Sequence, residues 1–510
     1  MQINVLDYLE ASARRNPEKI AIIEEEKSIN YADFLSAARR IGSGLIAMGA
    51  RRAPVIVFMD KGIDALCAFM GVAYAGCCYS LLNPEFPRTR LKQIASVLQS
   101  KIVIADPALV DTATEIFSVR GGTIVTTVDA LRAHDVDEAA LAAARCRAID
   151  TDPLYINFTS GSTGTPKGIA VGHRSVIDFI DCFTEIMGIA PEDVIANQAP
   201  FDFDVSVKDI YSALRVGATL VIVPKRFFSA PVQLIDYLCA NKITVMIWAV
   251  SALCLISTFH GLDYRTPETV RKIIFSGEVM PHKHLITWMR HLTNAMFVNV
   301  YGPTEITCNC TYHSLEAGRD YSGGIPIGKP FPNEDVFLLD ADDRAVTEAD
   351  AVGEICVRGS ALALGYYRAD AQTVRSFVRS PLNPCYPEII YRTGDLGRFD
   401  TSGDLFFCGR KDFQIKHMGH RIELEEIERA MAAIDGVERC CCTFDERKSR
   451  LKGFYIGAIE KDALYVAMKE RMPEFMIPGV LRRVDEMPLT KNGKIDRRKL
   501  EENAGGKKNG

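Results

Sequence analysis

Hydrophobic and polar positions along this chain follow two periods, one of helices and one of buried strands. Residues from about 5 to 50 read as two amphipathic helices around a short strand pair, Ala21-Ile22-Ile23 and Ser28-Ile29-Asn30. The unbroken apolar run Pro54-Val55-Ile56-Val57-Phe58-Met59 predicts a buried strand, and the helical stretch over 64–75 is closed by Gly76. Ile102–Ala105 and Thr123-Ile124-Val125 add further short strands. The same rhythm then repeats, with helices over 175–187, 208–216 and 232–241 and strands over 219–223, 245–248, 272–275 and 295–300. Strands that alternate with helices predict parallel, helix-covered sheets.

Past about residue 320 the texture changes. Short segments punctuated by Gly, Pro and Asp over 323–409 predict an all-β region of small twisted sheets. From Asp412 a compact α+β unit follows, with a helix over 423–431, a strand over 439–443 and a polar tail over 501–510 expected to be disordered. The predicted fold is multidomain α/β. A large N-terminal domain over 1–411 holds two α/β sheet units and a small β region, and a small α+β C-terminal domain covers 412–510.

Composition narrows the class without naming a chemistry. The chain has 510 residues, 48% hydrophobic and 25% charged, which is ordinary for a soluble globular protein. A net charge of −5 gives no global attraction to nucleic acid or to an anionic membrane. No run of apolar residues is long enough to span a bilayer, and the start Met1-Gln2-Ile3-Asn4 lacks the pattern of a secretory signal. The 15 cysteines lie scattered in apolar runs, as at Cys67, Cys239 and Cys254, which predicts reduced thiols in a cytoplasmic protein. Cys440-Cys441-Cys442 alternates across a predicted strand and lacks zinc-ligand spacing.

Candidate chemistry is concentrated in Thr159-Ser160-Gly161-Ser162-Thr163-Gly164-Thr165-Pro166-Lys167-Gly168, just after an apolar strand. Glycines let backbone N–H groups approach an anion, hydroxyls donate further hydrogen bonds, and lysine adds positive charge, so the run reads as a polyphosphate cradle. The alternative is a flexible Gly/Ser/Thr linker. It is not a Walker A loop, because Pro166 and Gly168 occupy the positions that pattern reserves for glycine and Ser/Thr.

Four further runs carry polar groups at element ends. In Asn299-Val300-Tyr301-Gly302-Pro303-Thr304-Glu305, at the end of a strand, Tyr301 could stack on a base, Thr304 could donate to phosphate and Glu305 could hold Mg²⁺; a plain turn would read the same. Asp395 in Tyr391-Arg392-Thr393-Gly394-Asp395 is either a turn cap or an acceptor for ribose hydroxyls. Gly409-Arg410-Lys411-Asp412 precedes an acid-rich helix start, and Asn492-Gly493 makes a turn that projects Lys494. Taken alone, Lys494 reads as a solvated surface charge.

In this order, from residue 159 to 497, the five runs resemble the adenylate-forming superfamily, specifically its amino-acid adenylation enzymes. The resemblance extends over essentially the whole chain, to stand-alone enzymes such as D-alanine–carrier-protein ligase and to adenylation domains of non-ribosomal peptide synthetases. It implies condensation of an amino acid with ATP to give an aminoacyl-AMP and pyrophosphate, then transfer to the phosphopantetheine thiol of a carrier protein. On this resemblance Thr159, Ser160, Gly161, Ser162, Thr163, Gly164 and Lys167 hold phosphates, Asn299, Tyr301 and Gly302 flank the nucleotide, and Thr304 contacts phosphate. Glu305 helps hold Mg²⁺, Asp395 binds the ribose hydroxyls, and Arg410 supports ribose or phosphate. Lys494 is the implied catalytic lysine, neutralising the repulsion between carboxylate and α-phosphate. Asp412 matches the hinge about which a mobile C-terminal domain turns between the two half-reactions.

The same resemblance assigns an amino-acid pocket to Asp204, Val205, Lys208, Trp248, Ile274, Ser276, Val300, Cys308 and Asn309. Asp204 would pair with the substrate α-ammonium; Asp202 shares its face if the segment is extended. Trp248 would form an indole wall, and Lys208 either meets a substrate carboxylate or pairs with a neighbouring acid such as Asp209 or Asp204. Cysteine is usual in D-alanine ligases where Ser276 stands, which argues against D-alanine. The eleven residues after Lys499 cannot form a carrier domain, so the expected carrier is a separate chain. Basic residues such as Arg421, Lys448 and Arg450 could steer it. The alternatives are an acyl- or aryl-CoA ligase of the same superfamily, against which Asp204 argues, and a catalytically silent binding homologue.

Overall fold

A computed structural model describes residues 2–118, 122–161, 166–316, 318–445, 448–489 and 495–505. Among the expected site residues, Ser162, Thr163, Gly164 and Lys494 lie outside the described residues. Contacts divide the chain into two compact units. The first takes in Met1–Pro84, Leu98–Asn157 and Gly168–Lys411; the second takes in Glu85–Val97, Phe158–Lys167 and Asp412–Gly510.

The first unit is built on three sheets. A nine-stranded sheet runs in the order Lys329–Pro330, Thr311–Ser314, Met296–Tyr301, Lys272–Ser276, Val245–Ala249, Val194–Asn197, Thr219–Ile222, Ile20–Glu24 and Lys27–Asn30. From Ile20–Glu24 to Met296–Tyr301 neighbouring strands are parallel, and the two edges are antiparallel. A seven-stranded sheet is centred on Pro54–Phe58 and Cys78–Leu82. The five-stranded sheet pairs Ile389–Phe399 with Val352–Gly359 on one side and with Leu405–Arg410 on another.

Strand phase places two cores against the nine-stranded sheet. Ile247, Ile274, Val298 and Val300 enter one core, while Met246, Trp248, Ile273, Phe275 and Phe297 enter the other. Side chains alternate across a strand, and a parallel sheet covered on both faces needs apolar residues in both phases. Helices Tyr31–Ala47 and Ile63–Tyr74 pack closely because Gly71 has no side chain; a Cβ there would lie 2.3 Å from Ile41 Cγ2. Asn30 caps the first of these helices, its Oδ1 accepting from the Asp33 N–H at 2.7 Å.

In the second unit the hairpin Gln414–His417/His420–Glu423 leads into helix Leu424–Ala432 and a three-stranded sheet of Val437–Asp445, Arg450–Gly457 and Val480–Arg483. The cysteine triplet alternates as expected, with Cys442 in the main core of this unit and Cys441 in a separate cluster with Phe454 and Leu500. All 15 cysteines are free thiols.

Most elements form where the periodicity put them, with three differences. The strand pair near residue 20 joins the second α/β sheet, beside Thr219–Ile222, because its apolar residues complete that core. The region 323–409 is not all β: helix Asp370–Ser376 interrupts it, and Gly365–Tyr366 pairs with Ile169 and Ala170 of the seven-stranded sheet. The tail is not wholly disordered either, since helix Arg497–Gly505 includes its first residues and Leu500 is buried.

Candidate active site

Tyr301 ends the strand Met296–Tyr301, and Asp395 lies within Ile389–Phe399 of the five-stranded sheet. The fold brings them together. The Tyr301 hydroxyl donates to Asp395 Oδ2, and Arg410 Nη1 donates to Asp395 Oδ1 from the neighbouring strand, where the two residues are register partners. Asp395 is buried, and burial together with its charge raises the Tyr301 hydroxyl well above the ordinary phenol pKa, so Tyr301 stays a donor. A carboxylate accepts about four hydrogen bonds, so these two donors orient Asp395 and leave capacity for vicinal hydroxyls.

A residue outside the sequence motifs supports this strand. Glu354 accepts from Arg392 Nε at 2.8 Å and Lys411 Nζ at 3.0 Å, and from the Gly394 N–H at 3.2 Å. Burial alone would raise its pKa, but the hydrogen bonds from Arg392 and Lys411 hold it below the usual carboxylate value. Glu354 thereby ties down the strand segment that presents Asp395. It lies some 40 residues from the motif, so no local pattern announces it.

Glu305 follows Tyr301 on the short helix Thr304–Ile306 and is fully buried. Its Oε1 accepts from the Tyr366 hydroxyl at 2.7 Å, and Tyr366 belongs to the short strand that crosses to the seven-stranded sheet. Tyr366 was not legible as a site residue. Among the described residues no group of three or more His, Cys, Asp or Glu is arranged to hold a metal. A single oriented carboxylate still fits Mg²⁺, which is commonly bound by one or two carboxylates together with substrate phosphates and water. Asn299, by contrast, uses its Nδ2 to donate to the Pro326 carbonyl at 2.8 Å.

The 302–310 turn links the nucleotide run to the amino-acid pocket. A Cβ on Gly302 would stand 2.5 Å from Asn309 Cα and 2.8 Å from the Cys308 carbonyl, so only glycine permits this backbone approach. Thr307 and Cys308 both take left-handed conformations, at φ 51° and 77°. Such positions cost roughly 1–3 kcal/mol each and need support from their surroundings. Part of that support is a hydrogen bond from Cys308 Sγ to the Asp204 carbonyl at 3.1 Å.

Asp204 itself does not lie in an extended segment. Residues 201–204 form a turn, and Asp204 stands at the start of helix Val205–Val216 in helical conformation, with no side-chain cap bond. The same-face relation expected between Asp202 and Asp204 is therefore absent. Four residues on, Lys208 is buried and donates to Asn309 Oδ1 at 2.8 Å and to Ser276 Oγ at 3.1 Å. Asp209 points to Asn197, whose Nδ2 donates to it at 2.7 Å. Val205, Ile274, Ser276, Val300, Cys308 and Asn309 are all buried.

Trp248 is the exception. Its indole N–H donates to the Ala196 carbonyl at 2.9 Å and its ring packs near Phe228, in the core opposite that of Ile274 and Val300. Strand phase puts Ile247 on the face where an indole wall was expected. A one-residue shift in reading a strand moves a side chain across the sheet. Ile247 is the register partner of Ile274 on the adjacent strand, a relation set by pairing that the unbroken apolar run Ile273-Ile274-Phe275 does not announce.

Of the described residues of the glycine-rich run, all but Gly168 belong to the second unit. Thr159 ends the strand Pro153–Thr159, and Lys167 begins Lys167–Gly172. Ser160 Oγ donates to the Arg421 carbonyl at 2.8 Å and accepts from the Glu423 N–H at 3.1 Å. The Gly161 N–H donates to Glu426, which forms a buried ion pair with Arg90 at 2.7 Å. Ser160 and Gly161 thus donate to protein atoms where a phosphate was expected. Asp412 Oδ1 accepts from the Gln414 N–H at 3.2 Å, capping the entry to the hairpin.

Tyr301, Asp395 and Arg410 thus form one hydrogen-bonded cluster, and Glu305 and the polar residues around Lys208 lie at strand ends, where open α/β sheets bind ligands. The chain belongs to the AMP-binding enzyme family, which matches residues 9–367, and so to the adenylate-forming superfamily. It is 30% identical to surfactin synthase subunit 1 of Bacillus subtilis over 97% of this chain, and 29% identical to zwittermicin A synthase ZmaJ of Bacillus cereus over 98%. It spans 95% of ZmaJ but only 14% of the surfactin protein, and 45% of tyrocidine synthase 1 of Brevibacillus parabrevis, to which it is 30% identical over 98% of this chain. Among solved structures it resembles PA1221, described as an NRPS protein containing adenylation and PCP domains. That match has a TM-score of 0.82 and 25% identity, over 99% of this chain and 98% of the other. A second fold match, at 20% identity and a TM-score of 0.85 over 99% of this chain and 98% of the other, is the Vibrio cholerae adenylation domain AlmE. Adenylate formation implies ATP as the nucleotide. Among the described residues no helix is long and apolar enough to cross a membrane.

Proposed function

We propose that this protein activates an amino acid as its aminoacyl-AMP, releasing pyrophosphate, and passes the aminoacyl group to the phosphopantetheine thiol of a carrier protein. The observation that carries this reading is the buried carboxylate of Asp204, at a helix start whose backbone is bonded to the strained Cys308 turn. A carboxylate in a pocket at strand ends can accept charge-assisted hydrogen bonds from the α-ammonium of an amino acid. The nearness of PA1221, with its adenylation and PCP domains, supports a carrier as partner.

In the first half-reaction Asp395, oriented by Tyr301 and Arg410, accepts the ribose hydroxyls, and Asp204 holds the ammonium. A substrate carboxylate oxygen then attacks the α-phosphorus and pyrophosphate leaves. Glu305 and Thr304 lie beside the nucleotide, Glu305 as the carboxylate that would hold Mg²⁺; the ion would supply charge neutralisation on the phosphates. Lys494 keeps its expected role as the cation at the attacking carboxylate, and Asp412 that of hinge between domains 1–411 and 412–510. The ammonium pairing at Asp204 favours this reading over a CoA ligase of a simple acyl acid.

ATP–pyrophosphate exchange across L- and D-amino acids, β-alanine and simple carboxylic acids tests it. Exchange with at least one amino acid, lost on removal of its α-amino group, is the expected result. Exchange only with acids lacking the amine would contradict it.

A further inference from the structure

The strand Glu334–Leu339 begins on a glutamate, which in the sequence reads as a solvated strand end. In the structure its side chain turns inward. Its register partner is Gly359, at φ 153°, and the carboxylate lies over that glycine, where a Cβ would stand 2.5 Å from both carboxylate oxygens. Only glycine leaves that space. Glu334 Oε1 accepts from the Ala361 N–H at 2.9 Å, while Oε2 is buried and has no hydrogen-bond partner among the described residues. Burial, and to a lesser extent the charge of Asp178 on helix His173–Ile186, push its pKa up to about 8 despite that hydrogen bond. A carboxyl kept in such a place costs stability and calls for an explanation in function.

The explanation lies on the other side of Ala361. The carbonyl of that residue accepts from Thr307 Oγ1 at 2.6 Å, so Ala361 joins Glu334 to the candidate site through its two backbone groups. Thr307 and Cys308 are the two left-handed residues of the turn, and their strain has to be held by their surroundings. Their side chains are held by the carbonyls of Ala361 and Asp204 respectively. Glu305 has its own brace, because the Ala363 N–H donates to its carbonyl at 2.8 Å. Glu334 therefore bears on the Thr307–Cys308 part of the turn and not on the nucleotide carboxylate.

Building on the reading that the pocket around Cys308 takes the acid, we propose that Glu334 is a positioning residue for adenylate formation, acting through Ala361 to hold the Thr307–Cys308 turn.

The test is ATP–pyrophosphate exchange, with the acid that the screen above finds best, in the unmodified protein, Glu334→Met, Glu334→Gln and Thr307→Ala. Methionine fills the space without an acceptor. It should raise the KM for the acid by about 10-fold and leave the KM for ATP within about twofold, as the loss of one hydrogen bond allows. Glutamine keeps an oxygen for the Ala361 N–H and should stay within about threefold for both. Thr307→Ala cuts the same relay, so it should match Glu334→Met, and the double variant should exceed neither by more than about twofold. An unchanged KM in Glu334→Met, equal increases for acid and ATP, no rescue by glutamine, or multiplied effects in the double variant each overturn the inference while upholding adenylate formation. Should Glu334→Met fail to fold, an acid KM within about twofold of the unmodified protein in Thr307→Ala overturns it. Exchange with no acid overturns both the inference and the reading on which it builds.

Discussion

The two halves of the candidate site hold their charges differently. On the nucleotide side, both oxygens of Asp395 are met by protein donors, Tyr301 and Arg410, and Glu354 ties down the strand behind them. On the amino-acid side, Lys208 donates to Ser276 and Asn309, and the residues around it come from a helix start, a strand end and a strained turn. On the proposed reading the first is a preorganised acceptor for ribose hydroxyls. The second, assembled from residues of three elements, is on that reading the selective half. Preorganisation and selectivity thus occupy different elements of one unit.

Gly302→Ala would break the comparison most strongly, because a Cβ on Gly302 would press on the backbone of the 308–310 turn. The added methyl group should destabilise the protein by about 2–3 kcal/mol, read by urea unfolding, since the clash is with backbone. In the folded fraction, the KM for the amino acid should rise more than the KM for ATP. Equal increases would mean that the turn serves both halves alike.

A smaller effect provides a control in which both halves fail together. His173 is buried, its Nδ1 accepts the Val5 N–H at 3.3 Å, and burial lowers its pKa from 6.5 to about 3. Its folded pKa lies below the unfolded one, so the unfolded chain binds more protons between these values. The resulting stability is present above pH 6.5 and is lost as pH falls towards 3. Urea unfolding at pH 5.5 should show roughly 1 kcal/mol less stability from this group than at pH 7.5, and His173→Gln should remove that difference. Nucleotide and amino-acid binding should weaken in parallel. Divergence between them would show that acid acts within one half of the site.

The runs 299–305 and 391–397 were legible in the sequence because their polar groups are contiguous, and the structure brings Tyr301 and Asp395 together. What those runs did not reveal were partners set by pairing at long range, Tyr366 for Glu305 and Glu354 for the strand segment before Asp395. The amino-acid pocket was less legible, since its residues are scattered and depend on strand phase. Trp248 and Ile247 differ by one position and face opposite cores, so a resemblance read one residue out of phase selects the wrong side chain. The turn at 201–204 was missed for a related reason, because Phe201 to Val207 alternates like a strand although it begins a helix.

The most direct test of the division between the halves is calorimetric titration of a non-hydrolysable ATP analogue into the unmodified protein, Asp395→Asn and Asp204→Ala. Loss of a charged acceptor for two hydroxyls should weaken binding by about 30-fold or more in Asp395→Asn, while Asp204→Ala should stay within about twofold of the unmodified protein. Equal weakening in both variants, or no weakening in Asp395→Asn, would contradict the assignment of the nucleotide to the Tyr301–Asp395–Arg410 cluster.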